Sequence, residues 1–223
     1  MEAEEKIDGL ETTEEPNSSL GATLLRVAWL AILLGLGMEV LLLLVASFGE
    51  SLGLRPLVAD FIKSISWWVV VCMGIAVGTA VARAQMAFMG LFGLLTAPLA
   101  FELSRVLHKG ALQALMVTGG GETGDTSALV LAVIKGIEFG ILGLAIGWIW
   151  TRPWGGVKAH VGVGLAVGVI FGGTMLALLF GGEAAPTTDV VSRGINEVLF
   201  PVGCALVLFT ARALGSRATN NGG

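Results

Sequence analysis

Apolar residues in this chain come in long unbroken blocks, without the alternation of a half-buried strand or the polar face of a soluble amphipathic helix. Six such blocks, at about 22–48, 61–82, 86–107, 128–150, 161–180 and 194–214, are divided by short stretches of Gly, Pro, Ser, Thr and charged residues. A helix needs roughly 20 apolar residues to cross the hydrocarbon of a bilayer, and each block meets that length. Lipid cannot satisfy backbone amides, which leaves helices or closed barrels as spanning structures, and a barrel would alternate polar with apolar positions. The pattern therefore predicts an all-α, polytopic integral membrane protein: one bundle of about six transmembrane helices filling residues 21–215, with tails at 1–20 and 216–223.

The ends of the blocks carry the marks of a membrane boundary. Arg26 and Trp29 open the first block, Trp67 and Trp68 lie near the start of the second, and Trp150 closes the fourth before Thr151-Arg152-Pro153. Trp and Arg at these places fit an interfacial belt, and Pro153 stops the helix. Arg83-Ala84-Gln85 predicts a tight turn between the second and third spans, and the glycine-rich stretch 118–127 predicts a loop.

Composition agrees with this reading: 55% of the 223 residues are hydrophobic and 13% are charged, against about 25% charged in an ordinary soluble domain. The net charge of -4 comes largely from the leader, where Glu2, Glu4, Glu5, Asp8, Glu11, Glu14 and Glu15 cluster. So acidic and polar a segment lacks the apolar groups to order itself and is expected to be disordered. It is also unlike a cleavable signal peptide, whose leading region is basic. An even number of spans puts both termini on one side, with Lys6, Arg26, Arg83, Arg152, Lys158, Arg212 and Arg217, while Arg55, Lys63, Arg105, Lys109 and Arg193 fall on the other. The positive-inside rule then predicts cytoplasmic termini in a cell inner (plasma) membrane.

Glycine is abundant, at 33 residues, and its spacing follows helix faces. Gly164, Gly168 and Gly172 form two overlapping GxxxG units, and Gly136, Gly140, Gly143 and Gly147 form a second stripe at spacings of four, three and four. Stripes of this kind let helix backbones approach closely in lipid. They predict contacts inside the chain or, for the charge-free fifth span, with a second copy or a partner membrane subunit.

Chemistry is confined to a few ionisable residues within the apolar blocks: Glu39, Glu102, Glu138 and Glu197, with Lys135. A charge at the bilayer centre costs at least about 2.5 to 3.5 kcal/mol on insertion scales, so each needs a partner, water, a proton or a role. Lys135 and Glu138 lie three residues apart, on a face of the fourth helix turned roughly 140° from its glycines at about 100° per residue. That span is therefore expected to be the hub of the bundle. Glu102 with Arg105 and Arg193 with Glu197 have the spacing of local ion pairs, and Glu39, with no local partner, is expected either to be protonated or to meet a partner from another helix, Lys135 being the candidate.

These positions lie toward one face of the membrane and predict an ion or proton pathway entered from that side. Cys72 and Cys204 read as packing residues, and His108 and His160 lack neighbours with metal-ligand spacing. No phosphate loop, nucleophile elbow or nucleic-acid signature occurs. The expected function is that of a proton- or cation-linked transporter or channel-like subunit, without enzymatic activity, metal or cofactor. The alternative is a non-catalytic scaffold or assembly subunit of a larger membrane complex.

Overall fold

The computed structural model describes residues 16–47, 54–80, 84–115, 125–180 and 187–220. It contains six α-helices: α1 (Pro16–Ala46), α2 (Leu54–Val77), α3 (Gln85–Ala114), α4 (Asp125–Ile149), α5 (Val157–Phe180) and α6 (Thr187–Asn220), with a 3-10 turn at Gly78–Ala80 after α2. Within them lie six segments long and apolar enough to cross a membrane, Leu20–Leu44, Val58–Ala80, Gln85–Ala114, Ala128–Ile149, Val157–Phe180 and Val190–Ser216. The chain is an all-α integral membrane protein.

Helices outrun the apolar blocks at several ends. The first begins at Pro16, inside the stretch read as a tail, and the last runs from Thr187 to Asn220, well beyond 194–214. Hydropathy locates the hydrocarbon, whereas a helix stops where its backbone hydrogen bonds stop, and the polar flanks extend the ladder beyond lipid. The acidic residues 2–15 and most of the glycine-rich loop lie outside the described residues.

Consecutive helices pack on one another, and α6 closes the ring by packing on α1. The most buried span is α4, with 56% of its apolar stretch enclosed, as expected of a hub. Its Gly143 faces the backbone carbonyl of Met89, and Gly136 faces Leu94 O, where an added Cβ would stand only 2.9 Å away. From the other side, Gly93 of α3 faces the carbonyl of Phe139. These two helices thus touch backbone to backbone.

The stripe on α5 does the same against α6. Cβ atoms added at Gly164 and Gly168 would come within 2.5 Å of Val202 Cα and Val198 O. This close contact lies inside the chain, so the face considered for a second copy is already occupied by α6.

Aromatic side chains fill the ring. Trp67 makes edge contacts with Phe101, Phe139 and Phe200 at centroid distances of 6.3, 5.9 and 5.5 Å, and Trp68 stacks on Phe200 at 3.8 Å. The expected interfacial role of this Trp pair is thereby corrected. Helix α2 starts at Leu54, which puts both tryptophans in its middle, and Trp68 is only 1% exposed. The exposed Trp148 and Trp154, at and just beyond the end of α4, suit the interfacial belt at that end of the bundle, whereas Trp29, exposed but 14 residues into α1, lies near the middle of its helix.

Cys72 and Cys204 are free, fully buried thiols whose sulfurs lie 3.2 Å apart between α2 and α6. N-ethylmaleimide is expected to leave both unlabelled in the folded protein and to modify both after unfolding in SDS, as read by intact mass. Rapid labelling of the folded protein would contradict this packing.

Candidate functional site

The intramembrane charges converge only in part. Lys135 of α4 hydrogen-bonds through Nζ to Glu138 Oε2 at 2.7 Å, one turn along the same helix, and to Glu197 Oε2 of α6. The ammonium thus joins two helices that otherwise touch little. Lys135, Glu138 and Glu197 are 6%, 0% and 7% exposed, so the three charges are withdrawn from solvent and from lipid together.

Local sequence sets up this meeting. The stripe of α4 glycines commits one face of the helix to α3, and the turn of roughly 140° between the faces aims Lys135 and Glu138 inward. On the facing side, an added Cβ at Gly172 would come to 3.0 Å from Glu197 Cβ. The missing side chain on α5 leaves room for α6 to hold Glu197 between α5 and Lys135. Phe139 and Phe200 follow in the chain and meet edge to face at 5.4 Å, with the Lys135 ammonium 5.9 Å from the Phe139 centroid. These rings separate the charges from the half of the bundle nearer the termini.

Charge does not balance within the cluster. One ammonium faces two carboxylates, and Glu138 Oε1 is buried without a hydrogen-bond partner. A buried carboxylate oxygen with no donor is costly, because desolvation is not repaid by a bond. Chemically, such an arrangement can exchange a proton or a small cation at the second carboxylate while the lysine holds the first.

The remaining predicted site residues stand apart. Glu39 turns toward α2, with Ser64, Asp60 and Lys63 nearby. Its expected pairing with Lys135 is corrected by the ring order: α1 packs on α2 and α6, so the two residues belong to different contacts. Arg193 is exposed while Glu197 points inward to Lys135, which replaces the local pair expected from their spacing. Glu102 does pair with Arg105, at 3.3 Å, but its side chain is 55% exposed. It lies outside the enclosed cluster.

A second polar arrangement, unread from the sequence, occupies the opposite end of the bundle. His160, at the start of α5, is fully buried and accepts a hydrogen bond at Nε2 from Trp150 Nε1 at 2.8 Å, while its Nδ1 lies 2.9 Å from Gly156 O. Indole only donates, so the ring is the neutral tautomer with its proton on Nδ1, donating to that carbonyl. Arg212 of α6 lies over the Trp150 ring at 4.5 Å. The available signal was the pairing of Trp150 and His160 across a short turn, but no spacing rule connects either to Arg212.

Comparison with known proteins finds no family model that matches the chain, and no curated protein or solved structure with significant similarity to it.

Proposed function

We propose that the protein handles a proton or a small cation within the membrane, as a compact transporter or a channel-like subunit of one, with its termini in the cytoplasm. The carrying observation is the enclosed cluster of Lys135, Glu138 and Glu197, in which two carboxylates share one ammonium. The second negative charge is offset by an exchangeable proton or cation, and Glu138, with one oxygen unpartnered, is the group that takes it. Lys135 tunes the site and Glu197 couples it to α6. Coupling to movement follows the same logic: a proton on either carboxylate weakens its charge-assisted bond to Lys135 and so loosens α4 from α6.

Glu138→Gln keeps the shape of the side chain and leaves Lys135 and Glu197 as a neutral pair. Reconstituted in vesicles with a pH-sensitive dye inside, the wild-type protein is expected to dissipate an imposed proton or cation gradient. The Glu138→Gln variant, folded to the same helical content, is expected to lose at least about 90% of that rate. A wild-type protein inert toward proton, sodium and potassium gradients would sink the transport reading.

One observation favours the scaffold reading instead: the cluster is enclosed by helices and aromatic rings, as a purely structural clamp would be. Under that reading Glu138→Gln changes stability or partner assembly, and there is no flux to lose.

A further inference from the structure

At the end of the bundle nearest the termini, helices α1, α2, α4 and α6 and the start of α3 line an open cavity of about 390 Å³. That volume lies in the range of pockets that hold small organic ligands, about 300 to 1,000 Å³. Its lining is graded. Thr23, Thr79, Gln85, Arg212 and Ser216 line it near the helix ends, while Val27, Ala76, Leu208 and Ala211 line it as well. By position along their helices, Val27, Ala76 and Leu208 lie about one turn deeper than their polar neighbours.

Arg212 is the charged member of this lining. Its Cζ lies over the Trp150 ring, 4.5 Å from the centroid, and that indole is itself fixed by its hydrogen bond to the buried His160. Arg212 lines the cavity from this position, and the planar N–H fork of a guanidinium is the group by which arginine takes a carboxylate or phosphate. Among the described residues no carboxylate pairs with Arg212. Arg26 adds a second positive charge at the rim, since a Cβ on Gly215, a lining residue, would come to 3.0 Å from its Nη1.

We infer that this cavity binds an amphiphilic organic anion, with a phosphate or carboxylate on the Arg212 fork and a compact apolar body against Val27, Ala76 and Leu208. Two sources share that chemistry, the headgroup of an anionic phospholipid and a soluble alkyl phosphate or carboxylate. The cavity is distinct from the Lys135 cluster: Glu197 and Arg212 are 15 residues apart on α6, or about 22 Å at about 1.5 Å per residue.

The test uses the full chain in phosphatidylcholine nanodiscs, followed by thermal melting. Either dioleoyl phosphatidylglycerol added to the bilayer or hexyl phosphate added to the buffer is expected to raise the melting temperature by about 4 °C or more. A response to phosphatidylglycerol alone identifies the lipid headgroup, and a response to hexyl phosphate identifies a soluble anion; both support the site. Arg212→Gln is expected to remove the shift. Arg212→Lys, which keeps the charge but not the planar fork and serves where Arg212→Gln does not fold, is expected to weaken half-saturation at least about tenfold. Arg152→Gln is the matched control, because Arg152 stacks on Trp148 at 4.9 Å without lining the cavity, and it should respond as the wild type does. No shift with either probe, an undiminished shift in Arg212→Gln or unweakened binding in Arg212→Lys overturns the proposal. Equal loss in Arg152→Gln does so too, since it would mean a diffuse attraction of anions to a basic surface.

Discussion

Lys135→Met is expected to destabilise the protein by about 3 to 5 kcal/mol, the usual cost of removing one partner from a buried ion pair. Methionine fills a similar volume, so little of the loss comes from packing. The loss arises because Glu138 and Glu197, 0% and 7% exposed, would be left facing one another with no cation between them. The same argument fixes a rescue. Glu138→Gln and Glu197→Gln, added together to Lys135→Met, remove both orphaned charges and should recover most of the stability, because an ion cluster replaced as a whole is often neutral in effect. Reversible unfolding in mixed micelles measures both. If Lys135→Met alone melts like the wild type, the cluster is not the link between α4 and α6.

Gly143→Leu is expected to cost about 3 kcal/mol or more, at the upper end for overpacking. A Cβ at this position would collide with the main-chain carbonyl of Met89, and backbone, unlike a flexible side chain, cannot rotate away. The only relief is to separate α3 from α4, which also forfeits the reciprocal contact of Gly93 on Phe139. Gly173→Leu supplies the contrast. Nothing lies within 4 Å of an added Cβ there, so its stability should stay within about 0.5 kcal/mol of wild type. Equal melting of the two variants would mean that α3 and α4 do not meet through their backbones.

The difference between those two glycines shows what was legible beforehand. Spacings of three and four select the glycines that share a helix face, and the stripes on α4 and α5 are both close contacts as expected. Spacing does not say which helix covers the face, and α6 took the α5 stripe. The spans were legible because lipid imposes a minimum apolar length on every crossing segment. Their ends were less so, because nothing in hydropathy stops a backbone ladder in the headgroup region. Trp67 and Trp68 misled for the same reason: with α2 begun late, they fell at its edge instead of its centre.

Within the site, Lys135 with Glu138 was legible because both partners are on one helix, where a separation of three residues is already a distance. Glu197 shows the limit of that reasoning. A local partner, Arg193, stood at the right spacing, yet the contact that formed is to Lys135, 62 residues away. Burial decides between them, since a carboxylate turned into the bundle cannot reach an exposed arginine. Glu39 fails similarly: its lack of a local partner was readable, but that its neighbours would be Ser64, Asp60 and Lys63 of α2 depends on the order in which the helices close their ring.

The division of the three charges between α4 and α6 also bears on how the chain is made. As α4 enters the bilayer it carries Lys135 and Glu138 one turn apart, a self-neutralising pair that presents no net charge to the lipid. Glu197 follows on the last helix, where its one-turn neighbour Arg193 is exposed and does not pair with it. It meets an ammonium already installed and already half coordinated. With helices inserted in chain order, the last one is expected to be received by a counter-ion already held on α4, through the same bond that joins α6 to α4.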